Sequence, residues 1–421
     1  MIQSISIGPG ITLRYFPDQR FKHACLSVQA VRPMCREEAA LNALLPAVLL
    51  RGTESCPDLR SITARLDDLY GASVGTLVRR VGDYQTTGLY ASFIEDRFAM
   101  EGDRILAPMG AFLKELLRAP RLEKGLFRAD YVKSEKKNLI STIESQLGDK
   151  RAYAMEQLMR SLCRKDSFGL PRLGEKREVA AITPGSLFAH YQKVLRESPI
   201  EIFYVGAAPL EAVRTLAESL FLGLDRNYVN LPEQTPLVRC RFSRREKRMN
   251  VNQGKLCMGF VTDVTLRDGD FPAMQLLNMV FGGDATSKLF RKVREEQSLC
   301  YAIGSGYHGS KGILTVSAGI DSGKEETVKA AILSQLEACR RGEISESELQ
   351  SAREELRSGL LATHDSPGAI ENYYATAALS GFSLDPEAYM ARLETVTTQQ
   401  LRRLAQGLKL SAVFFLRGVD S

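Results

Sequence analysis

The alternation of apolar and polar residues predicts two successive runs of strands and helices. Alternation with a period of two predicts strands at 11–16 and 24–31 and two strands within 73–93, and the apolar residues at 200–206 predict a buried strand. In the second run a strand is predicted at 255–265 and a strand pair within 301–320. Helical spacing predicts helices at 37–51, 59–70, 97–118, 124–163, 184–194, 271–281, 286–297, 324–340, 345–363 and 366–381. Strands and helices therefore alternate in blocks, which is typical of antiparallel sheets packed with helices.

The second run repeats the first in outline. Residues 222–238 lose the periodic pattern and carry two prolines, as an inter-domain linker does. The apolar stretch 44–52 recurs as 276–283, and Ile-Thr before one helix recurs as Val-Thr before another. The sequence predicts an α+β protein of two homologous domains, each an antiparallel sheet with helices on one face, with bounds 1–221, linker 222–238 and 239–421.

Composition limits the class of protein. At 421 residues the chain is too long for one ordinary core. Its 44% hydrophobic and 25% charged residues are typical of a soluble globular protein, and the net charge of +6 is too small to indicate nucleic-acid binding. We find no apolar run of membrane-spanning length and no signal-peptide pattern at the N-terminus, so we expect a cytoplasmic protein.

Histidines and cysteines are placed unfavourably for a metal site. The eight cysteines include no Cys-x-x-Cys pair, and the four histidines never recur at the helical spacing that aligns two ligands. We therefore expect reduced thiols and no zinc, haem or iron–sulfur site built by this chain alone.

One block carries a family resemblance. The sequence GGDATSKLFRKVRE at 282–295, followed by LCY at 299–301, resembles the C-terminal-domain signature of the pitrilysin/insulinase zinc peptidases, the inverzincins. The duplicated plan and the Ser-Phe-Gly-Leu-Pro sequence at 167–171 fit the same family. The resemblance runs nearly end to end. It implies a processing-peptidase-like clamshell of two domains, with the catalytic H-x-x-E-H motif on the first helix.

That catalytic motif is missing. The family's Gly-Thr continuation is present at 52–53, and counting back places Ala43, Pro46 and Ala47 at the two histidines and the glutamate. The third ligand, seven residues after Glu135, is replaced by Thr142. Methyl groups, a proline ring and a hydroxyl cannot replace imidazole and carboxylate ligands, and an internal proline costs a helix about 3 kcal/mol. We conclude that the chain holds no metal and does not hydrolyse peptides alone.

The substrate-binding half of the signature is retained. The resemblance assigns substrate binding to Arg294 and Tyr301 and to the glycine pair Gly282 and Gly283. A guanidinium can hold a peptide carbonyl or carboxylate by two bonds, and a phenol can donate to an oxyanion. The glycines would allow positive φ and a close approach of an extended peptide.

The family includes split enzymes, which suggest a function. In these, one chain carries zinc and a homologous chain carries the Arg/Tyr pair. The resemblance implies a non-catalytic subunit of a heterodimeric zinc metallopeptidase, with zinc on the partner and an extended or unfolded peptide as substrate.

Sequences at 66–72, 252–256 and 365–367 further resemble the bacterial YmfF-like subgroup, which is associated with 5-aminopentanol modification of elongation factor P. The alternative is a partner-independent peptide-binding or scaffold protein of the same fold. No phosphate loop, dinucleotide fingerprint or nucleophile motif supports other chemistry.

Each chemical feature also has a purely structural interpretation. Arg294 could pair with Glu295 or Glu296 on a helix surface, and Tyr301 could fill the core. The dense basic stretch is interpreted as a solvated linker or an edge strand protected by charge; it comprises Arg239, Arg241, Arg244, Arg245, Lys247 and Arg248. We interpret His364-Asp365 as a loop pair and Cys300 as a buried apolar residue.

Overall fold

The computed structural model describes residues 2–418. They form two compact units, each built from separate stretches of the chain. Unit 1 comprises the residues up to Glu144, together with Leu170–Gln234 and His364–Leu379. Unit 2 comprises Ser145–Gly169, Thr235–Thr363 and the residues from Ser380 onward.

Strands and helices are numbered in chain order. The strands are β1 Gln3–Gly8, β2 Ile11–Pro17, β3 His23–Pro33, β4 Ser73–Val81, β5 Tyr84–Ile94, β6 Leu122–Glu123, β7 Leu126–Phe127, β8 Ile200–Gly206, β9 Ser243–Met249, β10 Gly254–Val261, β11 Ala302–His308, β12 Ile313–Ile320 and β13 Lys409–Gly418. The helices are α1 Arg36–Leu49, α2 Leu59–Asp67, α3 Leu106–Arg118, α4 Ala129–Gly148, α5 Lys150–Leu162, α6 Lys176–Ala181, α7 Pro184–Glu197, α8 Leu210–Phe221, α9 Phe271–Asn278, α10 Glu325–Arg341, α11 Glu346–Ala362, α12 Pro367–Ser380, α13 Pro386–Glu394 and α14 Thr398–Gly407. Two π-helical segments lie at Met279–Gly283 and Leu289–Glu296.

The two main sheets share one topology. In unit 1 the strand order is β1-β2-β8-β3-β5-β4, and in unit 2 it is β11-β12-β10-β13-β9. Reversing the second order aligns β9-β13-β10-β12-β11 with β2-β8-β3-β5-β4. In both sheets the first aligned pair is parallel and the other three are antiparallel. This match supports the predicted duplication, with β1 as an additional strand that the pattern did not predict.

Matching helix starts reinforce the repeat. The Thr183 hydroxyl accepts a hydrogen bond from the backbone N–H of Ser186 at the start of α7, which leads into β8. The Thr397 hydroxyl accepts from the N–H of Gln400 at the start of α14, which leads into β13. In each case the cap satisfies one of the unpaired N–H groups at a helix start.

Each sheet is covered on its second face by a helix from the other half of the sequence. In unit 1, α12 lies on the face of β3 that carries Cys25, Ser27 and Gln29, whereas the alternate residues of β3 face the core. In unit 2, Leu158 and Leu162 of α5 pack against β10 and β13. A Cβ at Gly259 of β10 would clash with the Leu162 side chain.

This arrangement confirms the predicted α+β class and adds a feature. Helices were expected on one face of each sheet, and a second face is also covered. The predicted bounds 1–221 and 239–421 follow the linear sequence, whereas 145–169 belong to unit 2 and 364–379 to unit 1. The physical reason is that the apolar faces of α5 and α12 pack on the sheet of the opposite half. None of the helices between residues 2 and 418 combines the length and apolar character that a membrane crossing needs.

Candidate substrate-binding site

The signature block folds as a continuous segment of unit 2 between α9 and β11. Leu289 and Val293 are fully buried and anchor the second π-helical segment, so Arg294 lies on its exposed side. π-Helical turns are rare and occur frequently at functional sites. The segment therefore holds Arg294 at the surface on an anchored backbone.

Arg294 presents a guanidinium without an ionic partner. Its guanidinium carbon lies 4.4 Å from the centroid of the Phe290 ring, one turn earlier. Within residues 2–418 it forms no ion pair, and Glu296 instead binds Lys292 at 2.8 Å. The ring supports the stem by a cation–π contact. The hydrogen-bond donors of the fork remain available to a ligand.

Tyr301 lies directly before β11 and is 56% exposed. Its backbone N–H donates to the Gly319 carbonyl at 2.9 Å, and its phenol donates to Asp321 Oδ1 at 2.9 Å. The hydrogen bond to Asp321 raises the pKa of the Tyr301 phenol. Tyr301 is thus at the surface rather than in the core, but its proton is already donated.

Cys300 lies beside these two residues. Its thiol is buried, burial raises its pKa, and the nearby Arg294 guanidinium partly offsets that rise. A thiol held in the protonated form is a poor nucleophile. The Arg294 guanidinium therefore acts electrostatically on the thiol of Cys300, the residue before Tyr301 in the chain.

Gly282 and Gly283 serve close packing. A Cβ on Gly282 would lie 2.7 Å from Leu289 Cδ1 and 2.8 Å from Ser305 Oγ, and one on Gly283 would lie 2.5 Å from Met279 Sδ. Neither glycine has a positive φ, so the expected left-handed conformation is absent at both. Gly282 is buried and Gly283 is exposed, so only Gly283 offers accessible backbone.

The positions that the family resemblance assigns to the catalytic motif and the third metal ligand all lie in unit 1. Ala43 and Pro46 are buried within α1, Ala47 is half-buried, and Thr142 is exposed on α4. The Thr142 hydroxyl donates to the Asn138 carbonyl at 3.0 Å. Residues 2–418 contain no group of three His, Cys, Asp or Glu side chains arranged to hold a metal. These side chains do not fit the zinc ion that the family resemblance implies.

The structure accommodates Pro46 inside α1. Proline has no N–H for the carbonyl of Asn42, four residues earlier. The Thr87 hydroxyl of β5 donates to that carbonyl at 2.7 Å instead. Pro46 itself borders a small apolar cavity with Leu45 and Tyr191. The helix therefore continues through the proline, and position 46 faces the apolar interior.

Glu135, seven residues before the position that the resemblance assigns to the third ligand, is bound by protein donors. Arg51 Nη1 lies 3.1 Å from Glu135 Oε1, and Asn138 Nδ2 donates to Glu135 Oε2 at 3.1 Å. The Arg51 guanidinium also lies over the Tyr131 ring, 5.1 Å from its centroid. An ion pair therefore links Arg51, two residues beyond the end of α1, to α4.

A buried polar chain crosses the core of unit 1. His190 Nε2 lies 2.8 Å from Asn42 Oδ1, Asn42 Nδ2 donates to Gln85 Oε1 at 2.9 Å, and Gln85 donates to the Ala39 carbonyl at 3.1 Å. Burial lowers the pKa of His190 to about 4, and Arg32 and Lys193 add to that effect while Glu38 opposes it. The imidazole is therefore neutral in the folded protein at neutral pH.

We predict that His190 makes unfolding pH-dependent. Its pKa rises from about 4 to about 6.5 on unfolding. The unfolded state therefore binds an extra proton between these pH values, so the free energy of unfolding falls as pH decreases through this window. The free energy of unfolding changes by at most about 1.4 kcal/mol per pH unit, and the total loss across the window is about 3 kcal/mol. Urea titrations from pH 7.5 to 4 should show a shallower decrease for His190→Gln, whereas the exposed-residue control His23→Gln should follow wild type. Equal slopes for wild type and His190→Gln would contradict the assignment.

The remaining alternatives have clear outcomes. Residues 243–249 of the basic stretch form β9, an edge strand that pairs with β13 and is mostly exposed, as the charge-protected interpretation predicted. His364 packs edge-on against Phe16, with 6.5 Å between ring centroids. Sequence reasoning missed Asp321, since only strand register brings it to Tyr301.

Comparisons with known proteins identify the family that the chain resembles. Residues 181–356 match the family described as the Peptidase M16 inactive domain. The chain is 28% identical over 411 residues to "Probable inactive metalloprotease YmfF" of Bacillus subtilis (strain 168), covering 98% of this chain and 96% of that protein. It is 24% identical over 208 residues to "Uncharacterized zinc protease YmxG" of the same bacterium, covering 48% of each.

A solved structure extends the match to three dimensions. A conserved protein from Enterococcus faecalis V583 superposes with a TM-score of 0.92 at 29% identity, covering 100% of this chain and 99% of the other. The family resemblance seen in the 282–301 block is thereby confirmed. The chain is similar to the Peptidase M16 inactive domain over residues 181–356 and to YmfF over nearly its whole length.

Proposed function

We propose that the chain is the non-catalytic subunit of a heterodimeric zinc metallopeptidase. A homologous partner supplies the zinc ion and the general base, and this chain supplies Arg294 and Tyr301 to hold an extended peptide. The chain itself binds no cofactor. The eight free thiols suit a reducing compartment, and we place the complex in the cytoplasm.

One asymmetry carries the proposal. The side chains at 43, 46, 47 and 142 cannot ligate zinc or activate water, whereas Arg294 and Tyr301 are both exposed on an anchored segment. The Arg294 guanidinium forms no ion pair within residues 2–418 and the Tyr301 side chain lies at the surface, so both can meet a ligand. Loss of the metal half and retention of the peptide-holding half fit a subunit that completes another chain's site.

The chemistry of the retained half suits a peptide backbone. The Arg294 fork can donate two parallel hydrogen bonds to a carbonyl or carboxylate, and charge-assisted bonds of this kind are stronger than neutral ones. Tyr301 can bind a neighbouring backbone group. These contacts do not depend on side-chain identity, which suits unfolded substrates of varied sequence.

The relatives provide a candidate type of partner. One bacterium contains both a protein named as a probable inactive metalloprotease and one named as a zinc protease, and both are similar to this chain. A pair of this kind would place zinc on one subunit and the Arg/Tyr pair on the other.

A reconstitution experiment tests the proposal. The chain is purified alone, the zinc-bearing homologue from the same source is purified alone, and the two are mixed. Cleavage of fluorescein-labelled casein is then measured for each sample, and complex formation is followed by light scattering. We expect cleavage only by the mixture, together with a one-to-one complex.

Two results would contradict the proposal. Cleavage by this chain alone would show that it has its own catalytic centre. A mixture that forms no complex and cleaves no faster than the homologue alone would show that the two chains do not form a functional heterodimer. Peptide binding by the isolated chain in that case would favour the alternative, a partner-independent peptide-binding or scaffold protein.

A further inference from the structure

Strand register brings Asp321 to Tyr301. Ala302 of β11 pairs with Gly319 of β12, so the residue before β11 and the residue after β12 lie at the same end of the ladder. The Tyr301 N–H donates to the Gly319 carbonyl and continues the pairing by one residue. At this end the phenol donates to Asp321 Oδ1 at 2.9 Å.

The Asp321 carboxylate is held on its other side as well. Lys324, one turn further on, binds Asp321 Oδ2 at 3.1 Å. Each carboxylate oxygen therefore has a different partner. The hydrogen bonds from Lys324 and from Tyr301 lower the pKa of Asp321, so it stays ionised and keeps accepting at neutral pH.

This arrangement determines what Tyr301 can offer. A phenol has one proton to donate and two lone pairs that accept. The proton is committed to Asp321, whereas the residue is 56% exposed, so a ligand that reaches the phenol oxygen meets an acceptor. A hydrogen bond to a carboxylate also increases the electron density on the phenol oxygen, which improves it as an acceptor.

We propose that Asp321 is a positioning residue that makes Tyr301 an acceptor for a backbone N–H of the bound peptide. The identity of that ligand rests on the proposed function. Carbonyl and N–H groups alternate along an extended peptide, so Arg294 takes a carbonyl while Tyr301 takes a neighbouring N–H. The substrate class is therefore a peptide without proline at the position facing Tyr301, because proline has no N–H.

Three variants test the coupling, with Glu326→Ala as the matched control. Glu326 is an exposed acid that binds Lys329 at 2.6 Å, three residues on, as Asp321 binds Lys324. Asp321→Ala removes the acceptor, and Asp321→Asn keeps an amide oxygen that can accept from the phenol. Tyr301→Phe identifies which tyrosine NMR signal belongs to Tyr301. The first readout is the titration of Tyr301 in the isolated full chain, followed by NMR of ¹³C-labelled tyrosine rings.

The second readout is kinetic and uses the reconstituted pair with a quenched fluorogenic peptide. We expect Asp321→Ala to lower the pKa of the Tyr301 phenol and to raise KM about fivefold to tenfold with kcat within about twofold. Asp321→Asn should recover most of the loss in KM, and Glu326→Ala should change neither readout. Replacing one substrate residue at a time by proline should give one position with a similar loss that Tyr301→Phe abolishes.

The outcomes separate this inference from the proposed function. An unchanged Tyr301 titration in Asp321→Ala would overturn the positioning role whether or not the pair cleaves peptide. A rise in kcat in Asp321→Ala would show that the freed phenol donates to an oxyanion, which contradicts the acceptor role. A shifted titration with an inactive pair would leave Asp321 as the positioning residue and would remove the peptide as its ligand.

Discussion

Replacing Arg294 by alanine should lower kcat/KM of the reconstituted pair about 100-fold. The Arg294 guanidinium contacts the Phe290 ring and forms no ion pair within the described residues 2–418. Losing two charge-assisted hydrogen bonds from it to a substrate carbonyl costs about 3 kcal/mol. Tyr301→Phe should cost about tenfold, since one hydrogen bond is lost and the ring remains. Steady-state cleavage of the fluorogenic peptide measures both effects.

A neighbouring arginine provides the control. Arg291 is exposed on the same π-helical segment, and its replacement by alanine removes the same charge close to the site. We expect Arg291→Ala to stay within about twofold of wild type. Each variant must also form the complex, which gel filtration checks. Equal kcat/KM for Arg294→Ala and Arg291→Ala in intact complexes would contradict the proposed role of Arg294.

Replacing Glu371 by alanine should lower the free energy of unfolding by about 3–5 kcal/mol, the second large effect. Glu371 of α12 is only 1% exposed. It accepts hydrogen bonds from Ser27 at 2.7 Å, from Gln29 at 2.7 Å and from both Nη atoms of Arg79 at 3.0 and 2.7 Å. Its loss leaves a partly buried guanidinium and two buried polar side chains without their acceptor, which is the costly way to break an ion pair. Urea unfolding followed by circular dichroism measures the change.

Two further variants show whether this cost comes from the buried network. Glu355→Ala removes an exposed acid from α11 and should change stability by less than about 0.5 kcal/mol. The double variant Glu371→Met with Arg79→Met removes both charges and should recover part of the loss, because no charge is left unpaired. A loss below about 1 kcal/mol for Glu371→Ala would mean that the network does not hold α12 on β3.

Elements with strong local signals could be predicted from the sequence. The alternation at 24–31 predicted β3, and the apolar run at 200–206 predicted β8 as a buried strand. Thr183 marked the start of α7 because a hydroxyl cap is a local interaction. The second run of strand and helix patterns, which begins after the linker, predicted the second sheet. The strand β1 was missed, although Gln3–Gly8 alternates, because it is a short strand at a sheet edge in which no residue is fully buried.

The sequence did not predict that α5 and α12 each pack on the sheet formed by the other half of the sequence. Periodicity shows that a helix has an apolar face, but it does not show which sheet covers that face. The α12 helix also carries the buried Glu371, whose partners on β3 and β4 lie about 290–340 residues earlier in the chain. Contacts between residues so far apart in the sequence form only when the tertiary fold brings them together.

The candidate site was partly predictable for a similar reason. Arg294 and Tyr301 lie in one sequence block, so a motif could identify them. Asp321 lies 20 residues from Tyr301 and meets it only through the register of β11 and β12. Gly282 was expected to serve a ligand, whereas its neighbours Leu289 and Ser305 show a packing role that spacing alone does not reveal.

The zinc content of the isolated chain tests the central claim most directly. The chain is purified alone in zinc-supplemented buffer, passed through gel filtration, and its metal is measured by inductively coupled plasma mass spectrometry beside the reconstituted pair. We predict no stoichiometric zinc on the isolated chain and one zinc ion per heterodimer. One zinc ion on each isolated chain would contradict the account.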